Sequence, residues 1–223
     1  MLIHWQNEIF HLFPQKAIFW EEQKTLFVAD PHFGKATVFR KAGIPITEKT
    51  TQDDLNKLSE IICLSGSKRI IFLGDFLHAR QSRTQVLRNL LYLWREDFPD
   101  LELHLIRGNH DKSSGDPWPE LKIACHNEPW SLPKWDCRHH PLENFKVPYF
   151  AGHIHPGYSL KGKGGLRERT ACFQISKNRI VLPAFGSFTG LKNIPLRKDE
   201  QIFLTNGEKV IGLPSQQCFI LNK

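Results

Sequence analysis

The sequence has no long apolar run. Nowhere do its 223 residues approach the roughly 18 consecutive apolar residues that a membrane-spanning helix needs. Its start, MLIHWQNEIFHLFPQK, lacks the basic first segment and the unbroken apolar stretch of a secretory signal peptide. Internal repeats, low-complexity tracts and linker-like segments are absent as well. We therefore expect one soluble globular domain that spans residues 1–223.

Paired cysteines are also absent. Five cysteines are scattered singly, without a C-x-x-C pair, at Cys63, Cys125, Cys137, Cys172 and Cys218. An odd and unpaired set is not a disulfide framework, and it is typical of a reducing compartment. We therefore expect a cytoplasmic protein.

The chain is basic and rich in histidine. Thirty Lys and Arg against 23 Asp and Glu give a formal net charge of +7 and a pI of about 9.2. This balance is compatible with a polyanionic partner, but by itself it does not identify one. Eleven histidines are more than the composition leads one to expect, so their placement is the more informative feature.

Strand-like and helical patterns alternate in the first half. Three apolar, β-rich runs occur there: TLFVAD (25–30), RIIFLGD (69–75) and LELHLIRGN (101–109). Between them, residues 50–64 and 86–94 carry leucine, isoleucine and valine at helical spacing. The β-α-β-α-β order predicts parallel strands joined by helical crossovers.

The second half is nearly all strand, from WDCRHH (135–140) and YFAGH (149–153) to CFILN (218–222). Short turns such as TNGE join these runs, which favours antiparallel hairpins. Two mixed sheets that face each other, with helices outside, accommodate both halves. The predicted class is therefore α/β.

Each of the five early strands ends in polar side chains. The endings are Asp30-Pro-His32, Gly-Asp75, Asn109-His110-Asp111, His139-His140 and His153-x-His155. In open α/β sheets the ligand crevice lies at the carboxyl ends of strands, so we expect these groups to converge. Taken singly, most of these motifs are ordinary turns. Their joint occurrence in the order D-x-H, GD, GNHD, HHP and GHIH is the distinguishing feature.

This ordered set resembles the calcineurin-like metallophosphoesterases. More closely, ADPHFGKATVFRKAGIPI, LGDFLHAR, RGNHD, AGHIHPGYSLKG and LPAFGSFTG look like the bacterial ligase-associated DNA-damage-response phosphoesterases known as PdeM. The closer resemblance extends over about residues 25–190. It implies a four-layer α/β/β/α sandwich in which two mixed sheets are flanked by helices.

The resemblance also implies two divalent metal ions. The implied ligands are Asp30, His32 and His155 for one ion, Asn109, His139 and His153 for the other, and Asp75 as the bridge. Mixed oxygen and nitrogen ligands suit Mn²⁺, Fe or Zn²⁺ better than Mg²⁺ alone, and the closer resemblance implies Mn²⁺. The spacing of the HHP motif does not exclude His140 in place of His139.

Three further side chains are expected beside the metals. His110 is the natural donor of a proton to the leaving alkoxide, with Asp111 to orient it. His78, in GDFLHAR, is expected either to orient the substrate or a metal ligand, or to cap the helix that follows.

A basic rim is expected around the ligand loops. The segment YSLKGKGGLRERT, read as a glycine-rich loop, carries the candidate substrate-binding residues Lys161 and Lys163. Further basic residues follow the same ligand motifs: Arg167 and Arg169, Arg40 and Lys41, and Arg80 and Arg83. Together they are expected to hold the phosphates of a polynucleotide.

These features lead to one principal function and two alternatives. The principal hypothesis is a dinuclear metal-dependent phosphodiesterase of nucleic acid, a DNA endonuclease in DNA repair. The resemblance further implies association with an ATP-dependent DNA ligase and a helicase. The alternatives are a phosphodiesterase of small or cyclic nucleotides and an inactive protein-binding scaffold. The scaffold is disfavoured because all seven ligand positions and His110 are present.

Overall fold

The computed structural model describes residues 1–41, 43–44, 49–143, 145–161, 165 and 167–213, with Lys161 described by its backbone alone. Two β-sheets face each other. The strands of the first sheet, in both chain and spatial order, are β1 (Leu2–Trp5), β2 (Glu8–Phe13), β3 (Ala17–Trp20), β4 (Thr25–Val28), β5 (Arg69–Phe72), β6 (Glu102–Ile106) and β7 (Ile123–His126). Strands β1 to β4 pair antiparallel and β4 to β7 pair parallel, as predicted for β4, β5 and β6.

Strands β1 to β3 were not predicted. Burial alternates along β1 and β2, as in a half-buried strand, but the residue types do not follow it, since β2 buries Glu8 and exposes Ile9. The turn between them consists of Gln6 and Asn7, both with positive φ, and it lacks the glycine that usually marks such a hairpin.

The α-helices all lie between residues 35 and 114 of the described chain. They are α1 (Lys35–Lys41), α2 (Lys49–Ser65), α3 (Gln85–Glu96) and α4 (Asn109–Ser114). The predicted helices 50–64 and 86–94 correspond to α2 and α3. Helix α3 begins after Thr84, whose hydroxyl accepts a hydrogen bond from the Leu87 amide at 3.2 Å. The apolar faces of α2 and α3 pack on the β4–β5–β6 region of the first sheet.

The second sheet is mixed. Its strands are β8 (Trp130–Ser131), β9 (Asp136–Cys137), β10 (Tyr149–Ala151), β11 (Pro156–Lys161), β12 (Arg167–Ser176), β13 (Arg179–Val181), β14 (Lys192–Asn193), β15 (Glu200–Thr205) and β16 (Val210–Gly212). The spatial order is β14-β11-β12-β13-β10-β9-β8, and β15 lies between β12 and β16. Antiparallel pairing is confirmed around β12, but β9, β10 and β13 pair parallel. The predicted strand at CFILN lies outside the described residues.

Two mixed sheets with helices outside are confirmed, with one difference of detail. Within the described chain no α-helix covers the second sheet, so the fourth layer is not seen there. Instead, the outer face of that sheet buries Cys172, Ile202 and Leu204 against Ile194, which lies in the segment after β14. None of the described helices is long and apolar enough to cross a membrane.

An aromatic core between the sheets sets the position of the site. Phe27 of β4 and Phe150 of β10 stack with ring centroids 4.3 Å apart and planes within 3°. Trp135 packs edge-on against Phe150, and all three side chains are fully buried. Phe27 lies three residues before Asp30, and Phe150 lies three residues before His153. The stack therefore brings two polar strand ends from different sheets to the same place.

Candidate metal centre

The polar strand ends converge as predicted. Four overlapping groups have their potential ligand atoms within 4.8 Å of one another: Asp30, His32 and His155; Asp30, Asp75 and His139; His139, His140 and His153; and His32, His78 and His110. Asn109 joins them, because its side-chain oxygen lies 2.9 Å from Nε2 of His139. All seven residues named as metal ligands from the sequence therefore lie in one cluster.

The backbone at this cluster is strained. Five of the seven residues have positive φ angles, between 47° and 69°: Asp30, His32, Asp75, His153 and His155. Non-glycine residues rarely adopt this conformation, and they keep it only where the surroundings impose it. Hydrogen bonds between the motifs provide that constraint. The His32 amide donates to the Asp75 carbonyl at 2.9 Å, and the His153 amide donates to Oδ2 of Asp30 at 2.8 Å.

The glycine of the LGD motif permits the close packing. Gly74 has a φ of 89°, and a Cβ atom there would lie 1.9 Å from Nδ1 of His139. Any side chain at this position would displace the imidazole. The motif therefore needs glycine for both its conformation and the approach of His139.

The acidic residues of the cluster are buried in a manner that suits a cation. Burial, with the nearby Asp75, raises the pKa of Asp30 well above its usual value. Oδ1 of Asp30 is buried without any hydrogen-bond partner. An unpaired buried carboxylate oxygen is costly, and a bound cation would satisfy it. Oδ2 of Asp75 lies 3.5 Å from Nε2 of His139 and 3.9 Å from Nε2 of His32, so it faces both sides of the cluster.

Burial favours the neutral form of three histidines of the cluster. Burial lowers the pKa of His32 to about 2, and those of His139 and His155 to about 4. A neutral imidazole has a free ring nitrogen, which is the form that binds a metal. Ring nitrogens point at one another across short gaps: 3.4 Å for His32 and His155, and 3.0 Å for His139 and His153. The residues present therefore fit divalent metals.

His139 and His140 differ in their surroundings. His139 is fully buried, and its Nδ1 lies 3.0 Å from the Leu73 carbonyl while Nε2 faces Asn109. His140 is about one-third exposed, and its Nδ1 lies 2.5 Å from Oε1 of Glu128. Glu128 also accepts hydrogen bonds from both backbone amides, so it holds the His139–His140 step in place. The geometry favours His139 as the inner residue of the pair.

Asp111 does not have its predicted position beside the His110 ring. Its two carboxylate oxygens accept three backbone hydrogen bonds, from Gly108, Asp75 and Phe76, at 2.7–2.9 Å. Burial raises its pKa to about 6. Asp111 therefore ties the GNHD motif to the GD motif. The His110 ring is oriented instead by His78, whose carbonyl lies 2.5 Å from Nδ1 of His110.

His110 and His78 form a stacked pair at the edge of the cluster. Their ring centroids lie 5.1 Å apart at 22°, and Nε2 of His110 lies 4.0 Å from Oδ2 of Asp75. Nδ1 of His78 lies 3.4 Å from Nδ1 of His32. The short 3₁₀ helix that follows is preceded by Ala79 as its N-cap and has no side-chain cap, so the capping alternative for His78 is wrong.

Sequence reasoning missed Lys35. This half-buried lysine follows the DPH motif by three residues, and its charge lowers the pKa of His32, His78 and His155. It is thus a positive charge that acts on two of the residues predicted to hold the first metal, His32 and His155. Its proximity to the motif was the available signal, but lysines near loops are common and the signal is weak.

The predicted basic loop is largely a hairpin. Lys161 ends β11 and pairs with Arg167 of β12, and Ser159 pairs with Arg169. Nη1 of Arg169 donates to the Leu191 carbonyl at 3.0 Å. The side chain of Lys161 and the whole of Lys163 lie outside the described residues. Of the other rim residues, Arg83 has a structural role, since it donates to the Asp116 carbonyl at 2.7 Å and lies over the Trp118 ring.

A groove starts at this hairpin. It has a volume of about 660 Å³ and is lined in part by Tyr158, Arg167, Arg169 and Asn193. Strand β11 begins directly after His155, and the Lys192 amide donates to the His155 carbonyl at 3.0 Å. The groove therefore lies along strands that follow the candidate ligand His155, and none of the candidate ligands, all of which are within the described residues, lines it.

Fold and cluster together are those of a metal-dependent phosphoesterase. The family model of calcineurin-like phosphoesterases matches residues 23–206, a range that includes every candidate ligand. The chain therefore belongs to the calcineurin-like phosphoesterase family, as its motifs predicted.

One solved structure is similar over nearly the full length. Nuclease MPE of Pseudomonas putida shares 34% sequence identity, the alignment covers 96% of this chain and 99% of that chain, and the TM-score is 0.83. Yfce, a phosphoesterase from E. coli, aligns at 13% identity over 84% of this chain and 96% of that chain, with a TM-score of 0.40. Among curated proteins, none matches this chain significantly.

Proposed function

We propose that this protein is a dinuclear metal-dependent phosphodiesterase that cuts DNA internally and acts in DNA repair. The observation that carries the dinuclear part is the position of Asp75, whose Oδ2 faces His139 on one side and His32 on the other. A carboxylate between two groups of neutral imidazoles is the arrangement that a pair of cations needs. The nucleic-acid part is supported by the similarity to a nuclease and by the net charge of +7.

The proposed ligand sets follow the two sides of the cluster. Asp30, His32 and His155 would hold one ion, Asn109, His139 and His153 the other, and Asp75 would contact both. When bound, two such ions supply Lewis-acid activation of water and of the phosphoryl oxygens. Mn²⁺ is our proposed native ion, with Fe or Zn²⁺ as competitors, since the donors mix oxygen and nitrogen. Metal analysis of the purified protein tests this choice.

The remaining side chains handle the substrate and the proton. Lys35 adds a positive charge beside His32 and attracts the phosphodiester. His110 is about one-third exposed, and its Nε2 faces the cluster while Nδ1 is engaged by His78. We assign to that Nε2 the transfer of a proton to the leaving oxygen. The four free cysteines of the described chain are consistent with the cytoplasm as the location.

Digestion of circular DNA tests the endonuclease. Circular single-stranded and double-stranded DNA are incubated with the Mn²⁺-loaded protein, because only an internal cut can open a circle. Linear products are expected, and they should be absent with chelator or with the Asp75→Asn variant. Hydrolysis of cyclic nucleotides with circles left intact would favour the small-nucleotide alternative. Metal binding without any hydrolysis would favour the scaffold.

The closer motif resemblance further supports functional association with an ATP-dependent DNA ligase and a helicase. Co-precipitation with each partner, expressed from the same source as this chain, tests the association. If the purified proteins do not bind each other, the association is contradicted.

A further inference from the structure

Phe188 has a backbone conformation that its residue type disfavours. Eleven non-glycine residues of the described chain have positive φ. Five of them belong to the metal cluster, and five are polar residues in turns or at a helix end: Gln6, Asn7, Lys16, Lys24 and Lys122. The remaining one is Phe188, with a φ of 58°. A bulky residue takes this conformation only where its surroundings impose it, which often marks a functional site.

Hydrogen bonds, most of them to a buried carboxylate, hold the residues on both sides of Phe188. Asp54, a buried residue of α2, accepts two hydrogen bonds from Ser187: one from the amide at 3.0 Å and one from the hydroxyl at 2.7 Å. Nζ of Lys57 donates to Asp54 at 3.1 Å and to the Ser187 hydroxyl at 3.3 Å. On the other side of Phe188, the Thr189 hydroxyl donates to the Gly186 carbonyl at 2.5 Å. Both neighbours of Phe188 are therefore held.

Both ends of this loop lie against candidate metal ligands. At its start, the Gly186 amide donates to the Asp30 carbonyl at 3.3 Å, and a Cβ atom on Gly186 would lie 2.2 Å from the Pro31 carbonyl oxygen. At its end, the backbone of Gly190 forms a hydrogen bond with the ring of His155. Phe188 is thus anchored beside the predicted first metal position.

The Phe188 ring is exposed to solvent beside the candidate metal ligands. Phe188 is 62% exposed, and together with His32, Lys35 and Phe39 it borders a small crevice of about 10 Å³. A single exposed apolar side chain is ordinary and means nothing by itself. Phe188 differs from such a residue in three ways. Its φ is positive, its neighbour Ser187 is hydrogen-bonded to the buried Asp54, and its ring lies near the half-buried Lys35 beside the candidate metal ligands.

We propose that Phe188 is a stacking platform for one nucleobase next to the phosphodiester that is cut. This inference rests on the proposed function, because it requires a nucleic-acid substrate. Aromatic side chains bind single-stranded nucleic acid by stacking on the faces of bases, whatever the base. A base on Phe188 would leave its phosphate near Lys35 and the cluster. Bases within a duplex are stacked on their neighbours, so the platform selects single-stranded or unpaired DNA.

Abasic substitution tests the platform directly. A set of single-stranded oligonucleotides carries one tetrahydrofuran residue at successive positions around a mapped cleavage site. For the wild-type protein, kcat/KM should fall about 5-fold to 100-fold when the missing base is the one that stacks on Phe188. In Phe188→Ala the intact oligonucleotide should be cut slower by a similar factor, and the abasic residue should make no further difference. Phe188→Trp should retain the wild-type pattern.

Two readouts separate stacking from a structural role. A 2-aminopurine placed at the same position should lose fluorescence on binding to the wild-type protein and not on binding to Phe188→Ala. Methyl p-nitrophenyl phosphate has no nucleobase, so its hydrolysis should be unchanged in the variant, whereas that of the p-nitrophenyl ester of thymidine 5′-phosphate should fall. The matched control is Tyr92→Ala, which removes an exposed aromatic ring from α3. It should behave as wild type in each assay.

The failure of this inference differs from the failure of the proposed function. DNA cleavage with the same abasic sensitivity in wild type and Phe188→Ala overturns the platform and leaves the nuclease intact. Equal loss on both p-nitrophenyl substrates also overturns it, since Phe188 then shapes the metal site. If the wild-type protein cuts no DNA, the proposed function fails, and the platform fails with it.

Discussion

The aromatic core lies within strands and the cluster of candidate metal ligands lies just past their ends, and the two regions differ in almost every physical respect. Phe27 and Phe150 lie in regular strands, stack in parallel and are fully buried among apolar neighbours. Three residues further along the chain, just past the end of each strand, Asp30 and His153 have positive φ angles, and their polar side chains are buried and partly buried, respectively. Core residues of this kind stabilise the fold, whereas strained and buried polar groups destabilise it. The stabilisation from the core therefore offsets the free-energy cost of the cluster.

This contrast leads to opposite expectations for variants of the two regions. Changes in the cluster should abolish activity while the fold remains stable. Changes in the core should lower the free energy of unfolding while the activity of each folded molecule remains.

Loss of Asp75, the proposed bridging carboxylate, should have the largest effect. Asp75→Asn keeps the size of the side chain but removes the charge that faces both His32 and His139. We expect kcat to fall by at least about 10³-fold with Mn²⁺, because both proposed ions would lose a ligand. The metal-free variant should unfold at the same or a higher denaturant concentration, since a buried charge is gone. His153→Ala, on the other sheet, should show the same pattern, and metal content and urea unfolding measure it.

The reverse pattern is expected in the core. Phe150→Ala removes a fully buried ring that contacts Phe27 and Trp135. The free energy of unfolding should fall by about 3–5 kcal/mol, measured in urea. Val147→Ala, at an exposed position two residues before β10, is the matched control and should change stability little. If the folded fraction of Phe150→Ala is inactive with Mn²⁺, then the core and the cluster are not separable.

The sequence predicted the cluster better than the sheets around it. All candidate ligands follow strands whose apolar runs are plain, and the carboxyl ends of paired strands must meet, so convergence of Asp30, Asp75 and Asn109 could be expected. The parallel pairing of β9, β10 and β13 could not be expected from the sequence, because strands of two or three residues do not show in which direction they will pair. The hairpin around Lys161 was read as a loop, because its glycines masked the strand character on either side.

The residues that hold the candidate ligands in place were the least predictable part of the site. Asp111 follows His110 in the chain, and adjacency suggested a direct contact between the side chains. The helical turn of α4 directs Asp111 back to the amides of Gly108 and Asp75 instead. Glu128 and Asp54 contact residues that are distant in the sequence. Lys35 lies close to its motif, but a lysine in such a loop is common and does not attract notice. The contacts of all three residues depend on packing between elements, which no local pattern reports.

His110→Ala should separate proton transfer from metal binding. Metal content should remain near that of the wild type, because the His110 ring is at the exposed edge of the cluster. Turnover of a substrate with an alkoxide leaving group should fall by about 10²-fold to 10⁴-fold. Nitrophenolate departs without a proton, so hydrolysis of bis(p-nitrophenyl) phosphate should fall much less. An equal loss for both substrates would remove His110 from the donor role.

The pH dependence of stability should also distinguish the two regions. His32 has a folded pKa of about 2, below its unfolded value of 6.5, so the unfolded chain takes up a proton that the folded chain excludes. Its contribution to stability is therefore complete above pH 6.5 and is lost as the pH falls below it. Between pH 6 and 4, metal-free wild type should lose about 1.4 kcal/mol per pH unit more than His32→Asn. Urea unfolding at several pH values measures the difference, and parallel curves would contradict it. The curve of unfolding free energy against pH for Phe150→Ala should be parallel to that of the wild type.

The smallest expected effect concerns the basic groove, and it tests whether the position of a charge matters. Arg167 is exposed and lines the groove along the strands that follow His155. Arg69 is its matched control, because it begins β5 and so lies at the end of that strand away from Asp75. Each phosphate contact that is lost should flatten the plot of log affinity against log salt by about 0.7 for single-stranded DNA. We expect that change for Arg167→Ala and none for Arg69→Ala, although both variants lose one positive charge. The Lys161→Ala, Lys163→Ala double variant should flatten the plot about twice as much if both lysines contact phosphates. Equal slopes for the Arg167 and Arg69 variants would mean that the net charge, and not the groove, attracts DNA.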